Sequence, residues 1–328
     1  MGYVTIDAGT TNMRVRYIEK GKIRSCVKVK AGVRMTAIDG NNKRLKVALR
    51  DAITECLEKA EKTLEETHAI LASGMITSNL GLIEIPHLPT PVGIEELASG
   101  MEAIVFLEIV EKPIYFIPGV KNKIDPKVVD LVGQLDMMRG EEAEALGAGI
   151  IQEMEEAFVF VSPGSHTKFV FVDENQKIQS CCTTLTGELL AAISGHTILS
   201  DSLSESLIQT IDPDFIKMGM DAAKKYGLTK ACFLVRVLDT LRDTSDNERA
   251  NFLAGALAYN DLLALLSRAE MNMDILIGGN RILQELYYEV FLSYGWTQDR
   301  ICMLNSEARE KASSALAIKL FEGLSIRS

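Results

Sequence analysis

The pattern of apolar and polar positions repeats along the chain, once near its start and once near its middle. Residues 3–23 read YVTIDAGTTNMRVRYIEKGKI, and residues 158–178 read FVFVSPGSHTKFVFVDENQKI. In each, two β-rich runs flank a turn of small and hydroxyl residues, and a polar turn precedes a third run, which predicts a hairpin followed by a strand. Gly9 falls on Gly164 at an offset of 155 residues. Similarity at such a long period predicts two related domains.

Apolar residues recur at helical spacing in much of the remaining chain. Within residues 43–66, Leu45, Leu49 and Ile53 recur about one turn apart, which predicts an amphipathic helix. Residues 95–109 stay open between helix and strand. Strands alternating with helices after a hairpin indicate the α/β class. Further helices are predicted over 140–154, 186–199, 213–227, 249–269, 281–294 and 308–324, and short buried strands over 69–74, 113–119 and 274–279.

Composition narrows the class of protein. The chain has 328 residues, 47% of them hydrophobic and 24% charged, which is typical of a globular protein long enough for two domains. The net charge of −10 argues against nucleic acid or an anionic membrane as the main partner. We find no apolar run of membrane-spanning length and no signal-peptide pattern. The six cysteines show no zinc-binding spacing, so a cytoplasmic location with reduced thiols is expected.

The first turn joins a carboxylate at the end of a strand to a glycine and to hydroxyl and amide side chains. Backbone N–H groups in such a turn suit phosphate oxygens, and the carboxylate suits a hydrated Mg²⁺ beside them. An ordinary hairpin turn has the same pattern, so both interpretations stay open on these residues alone. No GxxxxGKS/T or GxGxxG motif offers another nucleotide site. The residues concerned are Asp7 for the metal and Gly9, Thr10, Thr11, Asn12 and Arg14 for the phosphates, with an exposed strand side chain as the alternative for Arg14.

The second turn and a late glycine pair offer similar chemistry. If two related domains face each other, both turns point into one cleft and hold a triphosphate from two sides. The glycine pair after the strand at 274–279 suits an adenosine lying close to the backbone, although a plain strand-to-helix turn has the same pattern. The residues concerned are Gly164, Ser165, His166, Thr167 and Lys168 in the second turn, and Gly278 and Gly279 in the late pair.

Seven motifs, taken in their order along the chain, resemble those of a known family. Together they resemble the sugar kinase, Hsp70 and actin superfamily and, within it, the 2-dehydro-3-deoxygalactonokinase family. Two departures are Ala8, where many members have an aromatic residue, and Ser-His-Thr-Lys in place of Thr-His-Ser-Lys at 165–168. The motifs are IDAGTTNMR (6–14), SGMITSNLGLIEIPHLPTP (73–91), ASGM (98–101), IPGV (117–120), DMMRGEEAEALGA (136–148), PGSHTKFV (163–170) and TTLTGELLAAISGHTIL (183–199).

The resemblance implies a fold and a reaction. The implied fold is α/β, with two ribonuclease-H-like domains of the actin-like ATPase type and an interdomain cleft. We expect residues 1–150 to carry the first phosphate loop and the sugar-acid pocket, and residues 151–328 the second loop and the adenosine site. The implied reaction is phosphorylation of the 6-hydroxyl of 2-dehydro-3-deoxy-D-galactonate by ATP with Mg²⁺, giving the 6-phosphate and ADP.

The resemblance also assigns roles around the helix at 140–154. A carboxylate that accepts the proton of the attacking hydroxyl speeds phosphoryl transfer, and related kinases place it at the start of this helix. Glu141 and Glu142 are the first candidates, their charged forms favoured by the helix N-terminus, and Asp136 is the third. Arg139 suits the substrate carboxylate because its guanidinium binds carboxylates bidentately. The sugar-acid pocket is expected to include Ser73, Thr77, Ser78 and Asn79.

Two other functions stay open on the sequence. An exopolyphosphatase-like phosphohydrolase shares the architecture and an acidic pair, and a non-catalytic actin-like assembly protein shares the fold. A kinase of another sugar or sugar acid is a further alternative. The stretch 73–91 favours the sugar-acid kinase. The expected partners are the small sugar acid and ATP, with neither nucleic acid nor membrane, and a homodimer is left open.

Overall fold

The computed structural model describes residues 1–203, 207–269, 271 and 273–325. The strands are β1 (Gly2–Ala8), β2 (Met13–Glu19), β3 (Lys22–Val29), β4 (Thr67–Gly74), β5 (Leu88–Pro89), β6 (Glu102–Phe106), β7 (Val110–Phe116), β8 (Val120–Lys121), β9 (Met137–Met138), β10 (Phe158–Ser162), β11 (Thr167–Val172), β12 (Ile178–Thr184), β13 (Asp274–Ile277) and β14 (Ile301–Met303). The α-helices are α1 (Arg34–Asp39), α2 (Lys43–Lys59), α3 (Ile94–Ser99), α4 (Glu141–Ile151), α5 (Thr186–His196), α6 (Pro213–Tyr226), α7 (Leu228–Leu241), α8 (Asp246–Leu266), α9 (Arg281–Tyr294) and α10 (Ser306–Ser325).

The two predicted hairpins each begin a sheet, and the two sheets share one strand order. The first sheet runs β3-β2-β1-β4-β7-β6, and the second runs β12-β11-β10-β13-β14. In the first sheet β1 lies antiparallel to β2 and parallel to β4, which is itself parallel to β7. In the second sheet β10 and β14 both lie parallel to β13. The α/β class predicted from the sequence is confirmed, and the repeat extends to five strands.

The chain separates into two compact units. The first comprises Met1–Glu156, Val172–Cys181 and the chain from Ser306 onward, and the second comprises Ala157–Phe171 and Cys182–Asn305. The first unit therefore extends beyond the expected boundary at residue 150. It includes α10 because this helix packs on α4, so closely that a Cβ on Gly147 would lie 1.8 Å from the carbonyl oxygen of Ala312.

The first unit builds its core from alternating positions of β1. Val4 and Ile6 face one side and pack in a cluster that includes Leu45 and Leu49 of α2. The opposite side of β1 meets α10, where Thr5 Oγ1 lies 2.7 Å from Ser314 Oγ. Strand β1 therefore has a buried side chain on each face and holds its carboxyl end in a fixed position. That end carries the first candidate loop.

The second unit is centred on α8, which is buried along most of its length. Close approach to α6 requires glycine, since a Cβ on Gly219 would lie 2.0 Å from Phe252 O, and one on Gly255 would lie 2.2 Å from Ile216 O. Helix α7, which the sequence analysis did not assign, packs on α8 and on α6.

Some predicted elements are shorter or divided in the structure. The helix expected over 43–66 ends at Lys59, and Glu61 then takes a positive φ of 54°. Residues 95–109, left open before, hold all of β6 and all of α3 except its first residue, Ile94. Among the helices of the described ranges, none is long and apolar enough to cross a membrane.

Candidate active site

The first loop, residues 9–12, joins β1 to β2 in the first unit. Gly9 N donates a hydrogen bond to Asn12 O at 2.8 Å, which closes the turn. Thr10, Thr11 and Asn12 are exposed. On the inner side, the carbonyl oxygen of Thr10 accepts a 2.9 Å hydrogen bond from Arg34 N at the start of α1. The polar side chains of the loop are therefore exposed, while a hydrogen bond from the start of α1 holds its backbone in place.

A glycine that the sequence analysis did not single out supports this loop. A Cβ on Gly32 would lie 2.5 Å from the carbonyl oxygen of Thr10 and 2.6 Å from that of Gly9. Real Cβ atoms do not approach backbone oxygens so closely, so any larger residue here has to displace the loop. The lack of a side chain at Gly32 therefore allows the backbone of the first loop to lie directly against this residue.

The second loop, residues 163–168, rests on a glycine in the same way in the second unit. A Cβ on Gly187, at the start of α5, would lie 2.0 Å from the carbonyl oxygen of Gly164. Glu188 N donates a 2.9 Å hydrogen bond to Ser165 O. Gly32 and Gly187 are separated by 155 residues, the offset of the two hairpins. The sequence repeat therefore included these supporting glycines, and extending the comparison past the hairpins would have found them.

The side chains of the second loop divide into exposed and buried ones. Ser165 and His166 are exposed, and His166 Nε2 lies 3.1 Å from Glu188 Oε1. Thr167 is buried, with its hydroxyl 2.9 Å from Tyr287 OH. Lys168 is buried too and donates to Thr183 Oγ1 at 2.5 Å. Only the first part of the loop is accessible, although the sequence pattern had offered all five residues to phosphate.

The late glycine pair follows β13 and contacts the base of the second loop. Gly279 has a φ of +77°, and a Cβ there would lie 2.7 Å from the carbonyl oxygen of Pro163. Asn280 caps α9, since its side chain accepts a 3.0 Å hydrogen bond from Leu283 N. The pair is thus a tight strand-to-helix turn that also packs beneath the second loop.

In the first unit, the carboxyl ends of β1 and β4 and the start of α4 lie against one another. The parallel register pairs Asp7 with Ser73 and Ala8 with Gly74. A Cβ on Gly74 would lie 2.6 Å from Ala8 O, and one on Gly140 would lie 3.3 Å from Gly74 Cα. The end of β4 therefore lies between the first loop and the start of α4. Sequence motifs far apart in the chain meet here.

Asp7 is the candidate metal ligand, and its carboxylate is partly accessible. Its Oδ2 lies 3.2 Å from Arg14 Nη1, so Arg14 contacts Asp7. Among the residues that the structure describes, no three His, Cys, Asp or Glu side chains cluster as a metal site. A single carboxylate is sufficient for Mg²⁺ that keeps several waters and binds phosphate oxygens, so Asp7 fits that ion.

The two glutamates at the start of α4 have different environments. Glu142 is fully buried, and both its oxygens accept hydrogen bonds from Gly140 N, at 2.9 and 2.8 Å. Burial, reinforced by neighbouring Glu141, raises the pKa of Glu142 to about 8. The backbone hydrogen bonds at the helix N-terminus act to lower this pKa, as predicted, but the loss of water on burial outweighs them. Glu141 is only partly buried, with Oε2 accepting a 3.1 Å hydrogen bond from Arg139 N.

Arg139 contacts the segment that was expected to line the sugar-acid pocket. Its Nη1 donates to Thr77 O and Thr77 Oγ1, both at 2.6 Å. Its Nη2 donates to Ile85 O at 2.9 Å and lies 3.2 Å from His87 Nδ1. Burial lowers the pKa of this guanidinium. Arg139 thus fixes the segment between Thr77 and His87, with both terminal nitrogens engaged by the protein.

The remaining candidates divide by exposure. Ser73, Thr77 and Ser78 are buried, whereas Asn79 is exposed. Asp136 is partly buried, and its Oδ1 accepts a 2.7 Å hydrogen bond from Met137 N. Among the three candidate bases, Glu142 is thus the one enclosed by the protein.

The raised pKa of Glu142 gives a stability prediction. Between its ordinary value of 4.5 and about 8, the folded state binds more protons at Glu142 than the unfolded chain does, so the free energy of unfolding falls as the pH rises through this window. Glu142→Gln stays neutral, so we expect its Tm to exceed that of the wild type by about 5 °C above pH 8 and to match it near pH 4.5. Thermal unfolding from pH 4.5 to 9 measures this difference.

The control for this prediction is Glu156→Gln, an exposed glutamate of the same unit. Its Tm should follow the wild type at every pH. A difference between Glu142→Gln and the wild type that does not change with pH would contradict the argument.

Two solved structures share this fold. A candidate 2-dehydro-3-deoxygalactonokinase from Sinorhizobium meliloti has a TM-score of 0.76 at 23% identity, covering 97% of this chain and 96% of the other. The activator of 2-hydroxyisocaproyl-CoA dehydratase from Clostridium difficile, solved with bound ADPNP, has a TM-score of 0.51 at 10% identity, covering 100% and 97%. At these identities the likeness shows the fold alone.

Sequence comparison gives the family to which the chain belongs. A model of the 2-keto-3-deoxy-galactonokinase family matches residues 7–310, so the chain belongs to this family of carbohydrate kinases. The 2-dehydro-3-deoxygalactonokinase of Escherichia coli strain K12 is 24% identical over 294 residues, which cover 89% of this chain and 90% of that protein. The family predicted from the sequence motifs is confirmed.

Proposed function

We propose that this protein phosphorylates the 6-hydroxyl of 2-dehydro-3-deoxy-D-galactonate with ATP. The products are the 6-phosphate of the sugar acid and ADP. The observation that carries this proposal is the family match across residues 7–310, which includes both loops and the start of α4. The two loops support it, because each has an exposed glycine-containing turn of the kind that binds phosphate. Hydrogen bonds and a closely packed glycine hold the backbone of each turn in place.

ATP is the proposed phosphoryl donor, and each loop contributes separately to its binding. In the first unit, Gly9, Thr10, Thr11 and Asn12 offer backbone and side-chain donors to phosphate oxygens. In the second unit, Gly164, Ser165 and His166 do so, while buried Thr167 and Lys168 hold the loop. Gly279, which is partly exposed, is proposed to lie beside the adenosine, while buried Gly278 packs against Phe160.

Mg²⁺ is the proposed metal, with Asp7 as its protein-side contact. When bound, the ion neutralises charge on the transferring phosphoryl group. Arg14, which lies against Asp7, is proposed to contact a phosphate as well as to hold this carboxylate in place.

We infer that Glu141 is the base. The substrate's 6-oxygen attacks the γ-phosphorus as the bond to the leaving ADP oxygen breaks, and the hydroxyl proton passes to a carboxylate. Glu141 is partly accessible, whereas Glu142 is fully buried and has a pKa of about 8, so it is largely protonated at neutral pH. Asp136 is the second candidate because it is also partly accessible.

The sugar acid is proposed to bind beside Glu141, with Arg139 as the cation for its carboxylate. Nη1 and Nη2 of Arg139 donate to protein atoms, so binding the carboxylate requires these bonds to be shared or exchanged. Asn79 is the exposed member of the proposed pocket, and Ser73, Thr77 and Ser78 support it from beneath. A homodimer and a cytoplasmic location stay predictions.

A substrate panel tests the proposal. ADP release is measured with ATP and Mg²⁺ in the presence of 2-dehydro-3-deoxy-D-galactonate, its epimer 2-dehydro-3-deoxy-D-gluconate, and simple hexoses. We expect turnover with the galactonate derivative at least tenfold above the others in kcat/KM. Phosphate release without any acceptor would support a phosphohydrolase instead, and turnover with hexoses alone would support another sugar kinase.

A further inference from the structure

A buried carboxylate connects three helices of the second unit. Asp261, on α8, is 2% exposed, and both of its oxygens are used. Thr186 Oγ1 donates to Oδ1, and Tyr287 OH donates to Oδ2. Thr186 begins α5, and Tyr287 lies on α9. Burial raises the pKa of Asp261, while the hydrogen bonds from Thr186 and Tyr287 act to lower it.

The hydrogen bonds form a chain that ends at the second loop. A tyrosine has one hydroxyl proton, and Tyr287 gives it to Asp261. The 2.9 Å contact between Tyr287 OH and Thr167 Oγ1 therefore has Thr167 as the donor. The chain runs from Thr167 through Tyr287 to Asp261, and Thr186 reaches the same carboxylate from the other side. All four side chains are buried.

Both ends of this chain act on the same loop. Thr167 directly follows the accessible residues Gly164, Ser165 and His166. Thr186 directly precedes Gly187, whose Cα supports the carbonyl of Gly164. Asp261 therefore fixes the end of the loop and also the helix turn on which the loop rests.

A core position does not by itself favour a carboxylate. Removing an acid from water is costly, and apolar residues of similar volume often stabilise a protein as well or better. The neighbours of Asp261 on α8 include buried Tyr259, Leu262 and Leu265, which pack without such a cost. A carboxylate here offers directed bonds to two elements, which fix geometry more tightly than apolar packing does.

We propose that Asp261 is a positioning residue for nucleotide binding, holding the second loop through Thr167 and Thr186 so that its accessible backbone donors match the phosphates. The inference rests on the proposed function insofar as the loop binds ATP phosphates. It names a residue outside every sequence motif considered above.

Asp261→Asn and Tyr287→Phe test the inference at nearly constant side-chain volume. The first replaces one acceptor by a donor, and the second removes only the hydroxyl that links Thr167 to the carboxylate. We expect each to raise the Kd for ADPNP and the KM for ATP about tenfold, while the KM for the sugar acid changes less than twofold. Calorimetry gives the Kd, and steady-state kinetics give the two KM values.

Asn251→Asp is the matched control. Asn251 is also buried on α8, where its Oδ1 accepts from Asp212 N at 3.0 Å and its Nδ2 donates to Thr210 O at 2.9 Å. Its contacts lie away from the loop, so we expect lower thermal stability with an unchanged Kd for ADPNP. The control therefore separates a general loss of protein stability from a displacement of the second loop.

The outcomes distinguish this inference from the proposed function. An unchanged Kd in folded Asp261→Asn and Tyr287→Phe would overturn it, as would an equal rise in Asn251→Asp. If Asp261→Asn does not fold, Tyr287→Phe decides alone. A wild type that binds ADPNP but phosphorylates no sugar acid refutes the proposed function while the Kd comparison still tests the inference. A wild type that binds no ADPNP refutes both.

Discussion

Glu141→Gln is expected to lower kcat for sugar-acid phosphorylation about a thousandfold, within the range for loss of a general base. Glutamine keeps the size of the side chain and still accepts the hydrogen bond from Arg139 N, so the start of α4 should stay in place. Because the amide does not accept the substrate proton, the loss should appear in kcat while the KM for ATP stays within about threefold. Steady-state kinetics at saturating ATP measure the effect.

Glu142→Gln is the matched comparison for this result. Glu142 is fully buried and largely protonated at neutral pH, so a neutral amide replaces it with little change in charge. We expect it to keep kcat within about tenfold of the wild type. Equal large losses in both variants would show that the pair acts as a unit. Normal turnover in Glu141→Gln together with a large loss in Asp136→Asn would assign the base to Asp136.

Gly187→Ala is expected to lower kcat/KM for ATP about a hundredfold. The new methyl group would lie 2.0 Å from the carbonyl oxygen of Gly164, so the second loop has to move by more than an ångström. A displacement of that size is sufficient for such a loss when donors must match phosphate oxygens. Kinetics with varied ATP at saturating sugar acid measure it.

Gly195→Ala is the control on the same helix, since nothing lies within 4 Å of a Cβ there. It should leave kcat/KM unchanged and, as a helix substitution, stabilise the protein by about 0.5–1 kcal/mol. Gly32→Ala should reproduce the loss by displacing the first loop. If folded Gly187→Ala binds ATP normally, ATP binding does not depend on the close contact between Gly187 and the second loop.

Much of the fold was predictable because its signals are local. The hairpins follow from β-rich runs and short turns, and α6, α8 and α9 follow from apolar spacing. Even α7 carries such a pattern, with Ala231, Val235 and Leu238 buried one turn apart, although it was not assigned. The packing of α10 with the first unit was not predictable, because that contact joins residues more than 100 positions apart.

The candidate site was predictable in outline only. The motifs located the two loops and the acidic pair because their ordered combination resembles one family, although single turns of glycine, hydroxyl and carboxyl residues also occur in ordinary hairpins. They did not distinguish Glu141 from Glu142, whose exposure depends on residues remote in sequence. Nor did they show that Thr167 faces the interior, since the partner of its hydroxyl, Tyr287, lies 120 residues further along the chain.

The sequence alone determined the class, the family and the repeat at an offset of 155 residues, whereas the two supporting glycines at that offset were identified only from the structure. These properties depend on residue type and spacing, and the sequence gives both directly. The tertiary structure decided which acid is buried, what Arg139 contacts, and that Asp261 connects the second loop to α5, α8 and α9. The physical reason is that residues remote in sequence determine how deeply a side chain is buried and which hydrogen bonds it makes. Burial and hydrogen bonding in turn determine the protonation state and the position of that side chain.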